Sequence, residues 1–396
     1  MNLDVRKLRL AMLVGLVAAY AGALTYMGGL SFEPVKDEVQ FWDQVMSFAK
    51  NWPPGVAEIQ NYNEPMTPVS FLAGAWLENR FGAGIAAGRV LSLFASLAAL
   101  ALIGLRQPAP GKQQTVPLLC ALGLFAYPYW LPMSMLVYTD TLAALFVLLG
   151  FWAYVRDQHI AGLVFFALSI ATRQYMVAFP AAVVAYEGLV MLRSKGLSFS
   201  RWLPYAFAAA TLLGWYAFFG GIGPHDGLHK WPRHTNSLAS ADPAYSLYFL
   251  SAMGIYFVLP EWVIDRRFRL FDFNFDWNTA LKIFLVVVGF LMFTPNYTEG
   301  VGPFNRTLVF VLGEGTAGGV VRVLIHFVLA CITVIRFARL DLGTLLIAVN
   351  FVLMAFLWTP WEKYCLPVLA ALWFLKAAGK LDAPAENAEE PSAYST

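Results

Sequence analysis

Six carboxylates, Glu33, Asp37, Glu38, Asp43, Glu58 and Glu64, crowd the polar stretch Ser31–Pro68 of an otherwise apolar chain. Asp37 and Glu38 are adjacent and lie just beyond the first apolar run. A carboxylate held at that point can take a proton from a hydroxyl nucleophile. Sugar transfer from a phosphate carrier needs such a base but no general acid, because phosphate is already a good leaving group. One carboxylate then suffices where a glycoside hydrolase uses two. The competing account is two solvated loop charges. Adjacent positions on a helix point about 100° apart, so one of the pair is expected to be catalytic and the other supporting. Asp37 is the expected base.

Four further clusters carry polar groups to the edges of apolar runs. Tyr138-Thr139-Asp140 opens a run after the proline-rich Tyr127–Pro132. There Asp140 can cap a helix, meet substrate, or do both. Arg173-Gln174 interrupts the apolar stretch Ile160–Val184. Arginine near hydrocarbon is costly without an anion, and either a phosphate bound bidentately or a salt bridge to Asp140 would meet that need. His225, His229, Lys230, Arg233 and His234 share one segment. Their irregular spacing argues against a metal site and allows contact with lipid phosphate or plain solvation. Glu362-Lys363-Tyr364 sits among Trp358, Trp361 and Pro367, as either a binding group or a local ion pair in an aromatic belt. Two sequons, Asn296-Tyr-Thr298 and Asn305-Arg-Thr307, carry little weight.

These groups need a scaffold, and composition says which kind. Of 396 residues 59% are hydrophobic and 13% charged, with a mean hydropathy of +0.60. That charged share is about half the usual one for a soluble domain. The expected fold is all-α and polytopic, with about twelve spans of about 20 residues each. The apolar runs lie at 9–30, 83–105, 115–132, 139–155, 160–172, 175–192, 202–222, 244–260, 278–295, 320–336, 342–359 and 364–379. Residues 1–380 form one transmembrane domain in this reading, and 381–396 a disordered cytoplasmic tail rich in Ala, Glu and Pro. Residues 31–82 form an external loop with two amphipathic helices, Pro34–Asn51 and Pro68–Phe81. The first should present Val35, Val39, Trp42, Val45, Met46 and Ala49 on one face. Arg6, Lys7 and Arg9 precede the first run, which reads as a retained signal anchor. With the N-terminus cytoplasmic, the majority of the 27 Lys and Arg fall on the inner side. Residues 31–82, Tyr138–Asp140, Arg173-Gln174, 223–243, 296–319 and Trp361–Tyr364 then share the outer side. Arg266–Trp277 reads as an interfacial helix on the inner side. Three scattered cysteines predict neither a disulfide framework nor a zinc site. The net charge of +2 and the lack of a basic tract point away from nucleic acid.

Taken in order, these motifs resemble the dolichyl-phosphate-glucose α-1,2-glucosyltransferase family and, more broadly, the GT-C superfamily. The similar features are Asp37-Glu38, Thr67-Pro68, Tyr138-Thr139-Asp140, Arg173-Gln174, the His-containing basic segment before a Tyr/Phe-rich run, and Glu362-Lys363-Tyr364 with Pro367. Val69-Ser70 stands where that family has Pro-Gly, Tyr175-Met176 where it has Thr-Asn, and Lys363 where it has Arg. The resemblance implies a GT-C-type bundle and an inverting hexosyltransferase. The donor would be a polyprenyl-phosphate sugar, glucose by the resemblance, and the acceptor a glycan or lipid-linked hydroxyl. It implies no cofactor and no metal. Asp37 and Glu38 would be catalytic, and Tyr138, Asp140, Arg173, Gln174, His229, Arg233, His234, Glu362, Lys363 and Tyr364 would bind the donor's phosphate or sugar. The absence of long insertions favours a bacterial inner-membrane protein with its site facing the periplasm and an undecaprenyl carrier. Membrane lipids are the expected surroundings. A transporter or flippase of a lipid-linked saccharide is the alternative from another class. It would more often place its acids in mid-span, and none occurs there before Glu187.

Overall fold

The computed structural model describes all residues except 1–4, 36, 108–114, 195–198, 231–240, 265–276, 295–301, 358 and 382–396. Arg233, His234, the interfacial-helix segment, the first sequon and nearly all of the tail therefore lie outside the described residues. What is described is all-helical, 79% helix with no strand.

A helix coincides with each of the twelve apolar runs. Among the described residues five helices are long and apolar enough to cross a membrane: Ile85–Gly104, Gln174–Arg193, Phe199–Phe219, Pro243–Ile264 and Thr316–Arg336. Shorter apolar helices include Leu10–Tyr26, Thr139–Val155, His159–Thr172 and Leu342–Met354. Several helices carry outward apolar stripes, such as Val320, Leu324 and Val328, each more than half exposed. Water penalises such surface and a bilayer accepts it.

The expected single run 115–132 is two helices, Val116–Phe125 and Trp130–Met135. Pro128 falls in the break, where its missing N–H costs no ladder bond. Short helices also form where loops were expected, at Val56–Gln60, His225–Lys230 and Pro303–Leu312.

Two helices make the post of the bundle. Leu366–Ala377 is buried along its whole length, and it packs against Thr139–Val155, itself almost wholly buried. Both begin at the same end of the molecule, so Asp140 and the Lys363-Tyr364 pair stand side by side. His159–Thr172 pairs with Thr139–Val155 as a hairpin, and its C-terminal end brings Arg173 back beside Asp140.

The first helix of the acidic loop runs from Asp37 to Lys50, and its buried face is Glu38, Phe41, Gln44, Val45 and Phe48. The expected stripe is rotated from this: Val35 and Val39 are exposed, and Trp42, Met46 and Ala49 are half-buried. The cause is Glu38, whose ion pair with buried Arg89 draws its side of the helix inward. Phe41 and Phe48 then close an aromatic cluster with Phe71, Tyr62 and Tyr138. The second loop helix, Val69–Phe81, forms as expected and packs on the first.

Candidate active site

A cavity of about 240 Å³ opens where the acidic loop, residues 31–82, meets the ends of these helices. Its polar wall is Asp37, Gln40, Glu64, Arg173, Gln174 and Lys363, and its apolar wall includes Met66, Ile222, Leu228, Phe356 and Leu357. Tyr175, Trp361 and Tyr364 add aromatic faces.

Asp37 begins the Asp37–Lys50 helix, where the helix dipole favours a carboxylate. Its side chain is 39% exposed, and Lys363 Nζ lies 3.2 Å from its Oδ2. Lys363 is almost wholly buried and rests over the Trp361 ring, 3.4 Å from the centroid. Trp361 is fixed in turn by donating its indole N–H to the Tyr129 hydroxyl at 2.7 Å. Burial pushes the Lys363 ammonium down to about 8, with nearby Arg173 acting in the same direction and the carboxylates of Asp140 and Asp37 opposing it. Tyr138 places its ring 5.3 Å from Lys363 Nζ. Its phenol pKa is raised by burial first and by the charge of Asp37 second.

Arg173 forms the opposite polar corner. Its Nη2 is 3.1 Å from Asp140 Oδ2, and its Nε donates to the Thr139 hydroxyl. The Tyr175 hydroxyl donates to Asp140 Oδ1 at 2.9 Å. Asp140 is fully buried and stands behind Arg173, away from the cavity. It orients the guanidinium and does not itself line the cavity. Gln174 Nε2 donates to Pro65 O at 2.8 Å and Ile222 O at 3.1 Å, pinning two loops to the rim. Tyr364 packs edge-on against Tyr175.

Besides Tyr138 and Asp140, which stand behind the cavity wall, three more expected site residues do not line it. Glu38 is wholly buried and turned out of the cavity. It accepts from Arg89 Nε and Nη2 at 2.9 and 2.7 Å, and from the Val137 and Val35 amides at 2.8 and 3.3 Å. With its oxygens so occupied it joins the loop to the bundle and presents neither of them to the cavity. Glu362 is also buried and faces away from the cavity. It accepts from the Tyr248 and Tyr256 hydroxyls and from the Phe304 and Asn305 amides. It thereby caps the Pro303–Leu312 helix from outside, a placement the first-turn amides favour. His229 is exposed and packs on His225, 4.7 Å between ring centroids. Leu228 is the residue of that short helix that lines the cavity.

The sequence reading passed over Glu64. It is 2% exposed and lines the cavity, with Lys230 Nζ 3.5 Å away. Burial raises its pKa, and Lys230 offsets part of the shift. Gly227 makes this juncture possible: a Cβ there would stand 2.5 Å from the Glu64 carbonyl, and its amide donates to Tyr62 O at 2.9 Å. The one available signal was membership of the acidic loop, which six carboxylates share. Thr67 secures the same loop by donating to Ile170 O at 2.7 Å. Among the described residues no group of three or more His, Cys, Asp or Glu is placed to hold a metal ion.

No family model, curated protein or solved structure matches the chain.

Proposed function

We propose that the chain is an inverting membrane glycosyltransferase with a GT-C-type bundle of about twelve transmembrane helices. It moves a hexose, glucose by the sequence resemblance, from a polyprenyl-phosphate donor to an acceptor hydroxyl. The site faces the periplasm from a bacterial inner membrane. The observation that carries this reading is convergence. Asp37, Arg173-Gln174, Trp361, Lys363 and Tyr364 come from distant parts of the sequence and line one cavity, with Tyr138–Asp140 directly behind them.

The chemistry follows from their types. Asp37 takes the proton of the acceptor hydroxyl, whose oxygen bonds to the anomeric carbon as the bond from that carbon to the phosphate oxygen breaks. The polyprenyl phosphate departs with the electron pair. Arg173 and Lys363 hold the phosphate, the first as a bidentate fork and the second as a point charge. Asp140 and Thr139 keep the guanidinium aimed. Met66, Ile222, Leu228, Phe356 and Leu357 supply an apolar wall of the kind an isoprenoid tail requires. Tyr138 holds the Asp37–Lys363 corner together, and Gln174 keeps the rim closed.

Purified protein incubated with polyprenyl-phosphate glucose and polyprenyl-phosphate mannose, with transfer or release read by mass spectrometry, tests the proposal. Turnover of either donor is expected. If neither sugar leaves its carrier, the enzyme reading fails.

A further inference from the structure

The helix Thr316–Arg336 buries one stripe and exposes another. The buried stripe runs Arg322, His326, Leu329, Ala330 and Thr333. Arg322 is 5% exposed, yet its Nε and Nη1 have no hydrogen-bond partner, and no carboxylate among the described residues lies within ion-pairing distance of it. A guanidinium taken out of water without a counter-charge costs several kcal/mol in a protein interior, so an empty site would be a large debit. Below it, His326 closes the floor by stacking on Tyr248, ring centroids 5.2 Å apart.

The guanidinium reaches back toward the start of its own helix, its Nη2 3.9 Å from where a Cβ on Gly319 would stand. That start is bare. Gly315 is the N-cap and supplies no side-chain acceptor. The first backbone bond of the helix is Gly319 N to Gly315 O, so the amides of Thr316, Ala317 and Gly318 have no intrahelical acceptor. Gly315, Thr316 and Ala317 are exposed, which leaves the turn open to a ligand. Free amides at the positive end of a helix dipole, backed by an unpaired guanidinium, make an anion site. Its ligand has an apolar portion, because Val320, Val321 and Leu324 beside the turn are exposed on the outward stripe.

We infer that the first turn of this helix, with Arg322, binds the phosphate of a membrane lipid. The site is separate from the Asp37 cavity, which none of these residues lines, and it does not rest on the glycosyltransferase reading. The phosphate could belong to a bilayer phospholipid or to a polyprenyl phosphate, and the experiment separates these.

Delipidated full-length protein and its Arg322→Gln and Arg322→Lys variants are melted in detergent alone. The melts are repeated with phosphatidylglycerol, phosphatidylcholine, polyprenyl phosphate or inorganic phosphate. Native mass spectrometry counts retained lipid. Without lipid, Arg322→Gln should melt no lower than wild type, since it removes a buried unpaired charge. One of the phosphate lipids should raise the wild-type midpoint, and Arg322→Gln should bind that lipid at least tenfold more weakly, with Arg322→Lys between them. Which lipid acts identifies the source. A wild-type response to inorganic phosphate alone, or equal lipid retention by wild type and Arg322→Gln, overturns the inference.

Discussion

Asp37 and Glu38 are neighbours with opposite fates, and a pair of isosteric substitutions tells them apart. Asp37 is part-exposed and meets one cation, whereas Glu38 is fully buried under four donors. Asp37→Asn preserves shape and removes basicity. General-base catalysis is worth about 10²–10⁴ in rate, so turnover should fall roughly hundredfold or more with the thermal midpoint nearly unchanged. Glu38→Gln should act the other way. It leaves Arg89 charged and buried beside a neutral amide, and breaking a buried pair costs about 3–5 kcal/mol. The expected reading is a lower melting temperature, with turnover per folded molecule largely kept. A dead but stable Glu38→Gln would reverse the assignment. Lys363 adds a pH dependence. In the folded chain its proton leaves near pH 8, against an ordinary lysine value of 10.5. Between those values the unfolded chain holds more protons, so stability rises with pH. Donor binding should move oppositely, because the ammonium proposed to meet the phosphate is lost. The donor KM is expected to climb above pH 8, and Lys363→Arg should carry that climb out of range. A KM flat across pH 7–9 would remove Lys363 from the phosphate site.

Between elements the decisive contact is the one Glu362 makes. Its carboxylate gathers two tyrosine hydroxyls from the Pro243–Ile264 helix and two amides from the first turn of Pro303–Leu312. Tyr256 reaches it from a π-helical turn at Gly254–Val258, which offsets that side chain from the regular helical position. Gly302 lies against the carboxylate, and a Cβ there would stand 2.1 Å from Glu362 Cδ. Gly302→Ala is therefore expected to destabilise by about 1–3 kcal/mol through overpacking. The loss should shrink in the Glu362→Gln background, where the cap is already weakened, and thermal melts of the two single variants and the double variant measure that coupling. Strictly additive losses would mean that the glycine and the cap act independently. None of this was legible in the sequence. Periodicity and apolar length located a helix at every run because each signal is local. The Pro303–Leu312 helix was missed because its cap comes from Glu362, far along the chain. The buried face of Asp37–Lys50 was misjudged for a like reason: hydrophobicity ranks Val39 above Glu38, and only Arg89 on another helix reverses that order. Glu64 looked like one of six loop acids until Gly227 closed over it.

For the molecule as a whole, the question is which side of the bilayer the cavity faces. The helix connections constrain the answer. The cavity lies where Thr139–Val155 begins, where His159–Thr172 ends, and just before Leu366–Ala377. Asp37 follows the first apolar helix on the same side. One face of the bundle thus carries the whole candidate site, and the order of motifs along the sequence already implied as much. Charge supplies the sign: Arg6, Lys7, Arg193 and Arg336 mark the other ends of helices whose near ends point toward the cavity. Cysteine accessibility in intact cells checks this. Ser47 is exposed on the Asp37–Lys50 helix, and Ser194 ends the Ala178–Ser194 helix beside Arg193. The native thiols are Cys120 and Cys365, both buried, and part-buried Cys331, so replacing Cys331 by Ser should leave a quiet background. Ser47→Cys is expected to react with a membrane-impermeant maleimide from outside, and Ser194→Cys only after permeabilisation. Positive charge is retained on the side from which it is costly to translocate, so the reverse pattern would place the cavity in the cytoplasm. A cytoplasmic cavity would give the Asp37 base access to acceptors other than those of the periplasm. Labelling of both positions from outside would break the alternation on which the shared face depends, and the proposed site would lose its common side of the membrane.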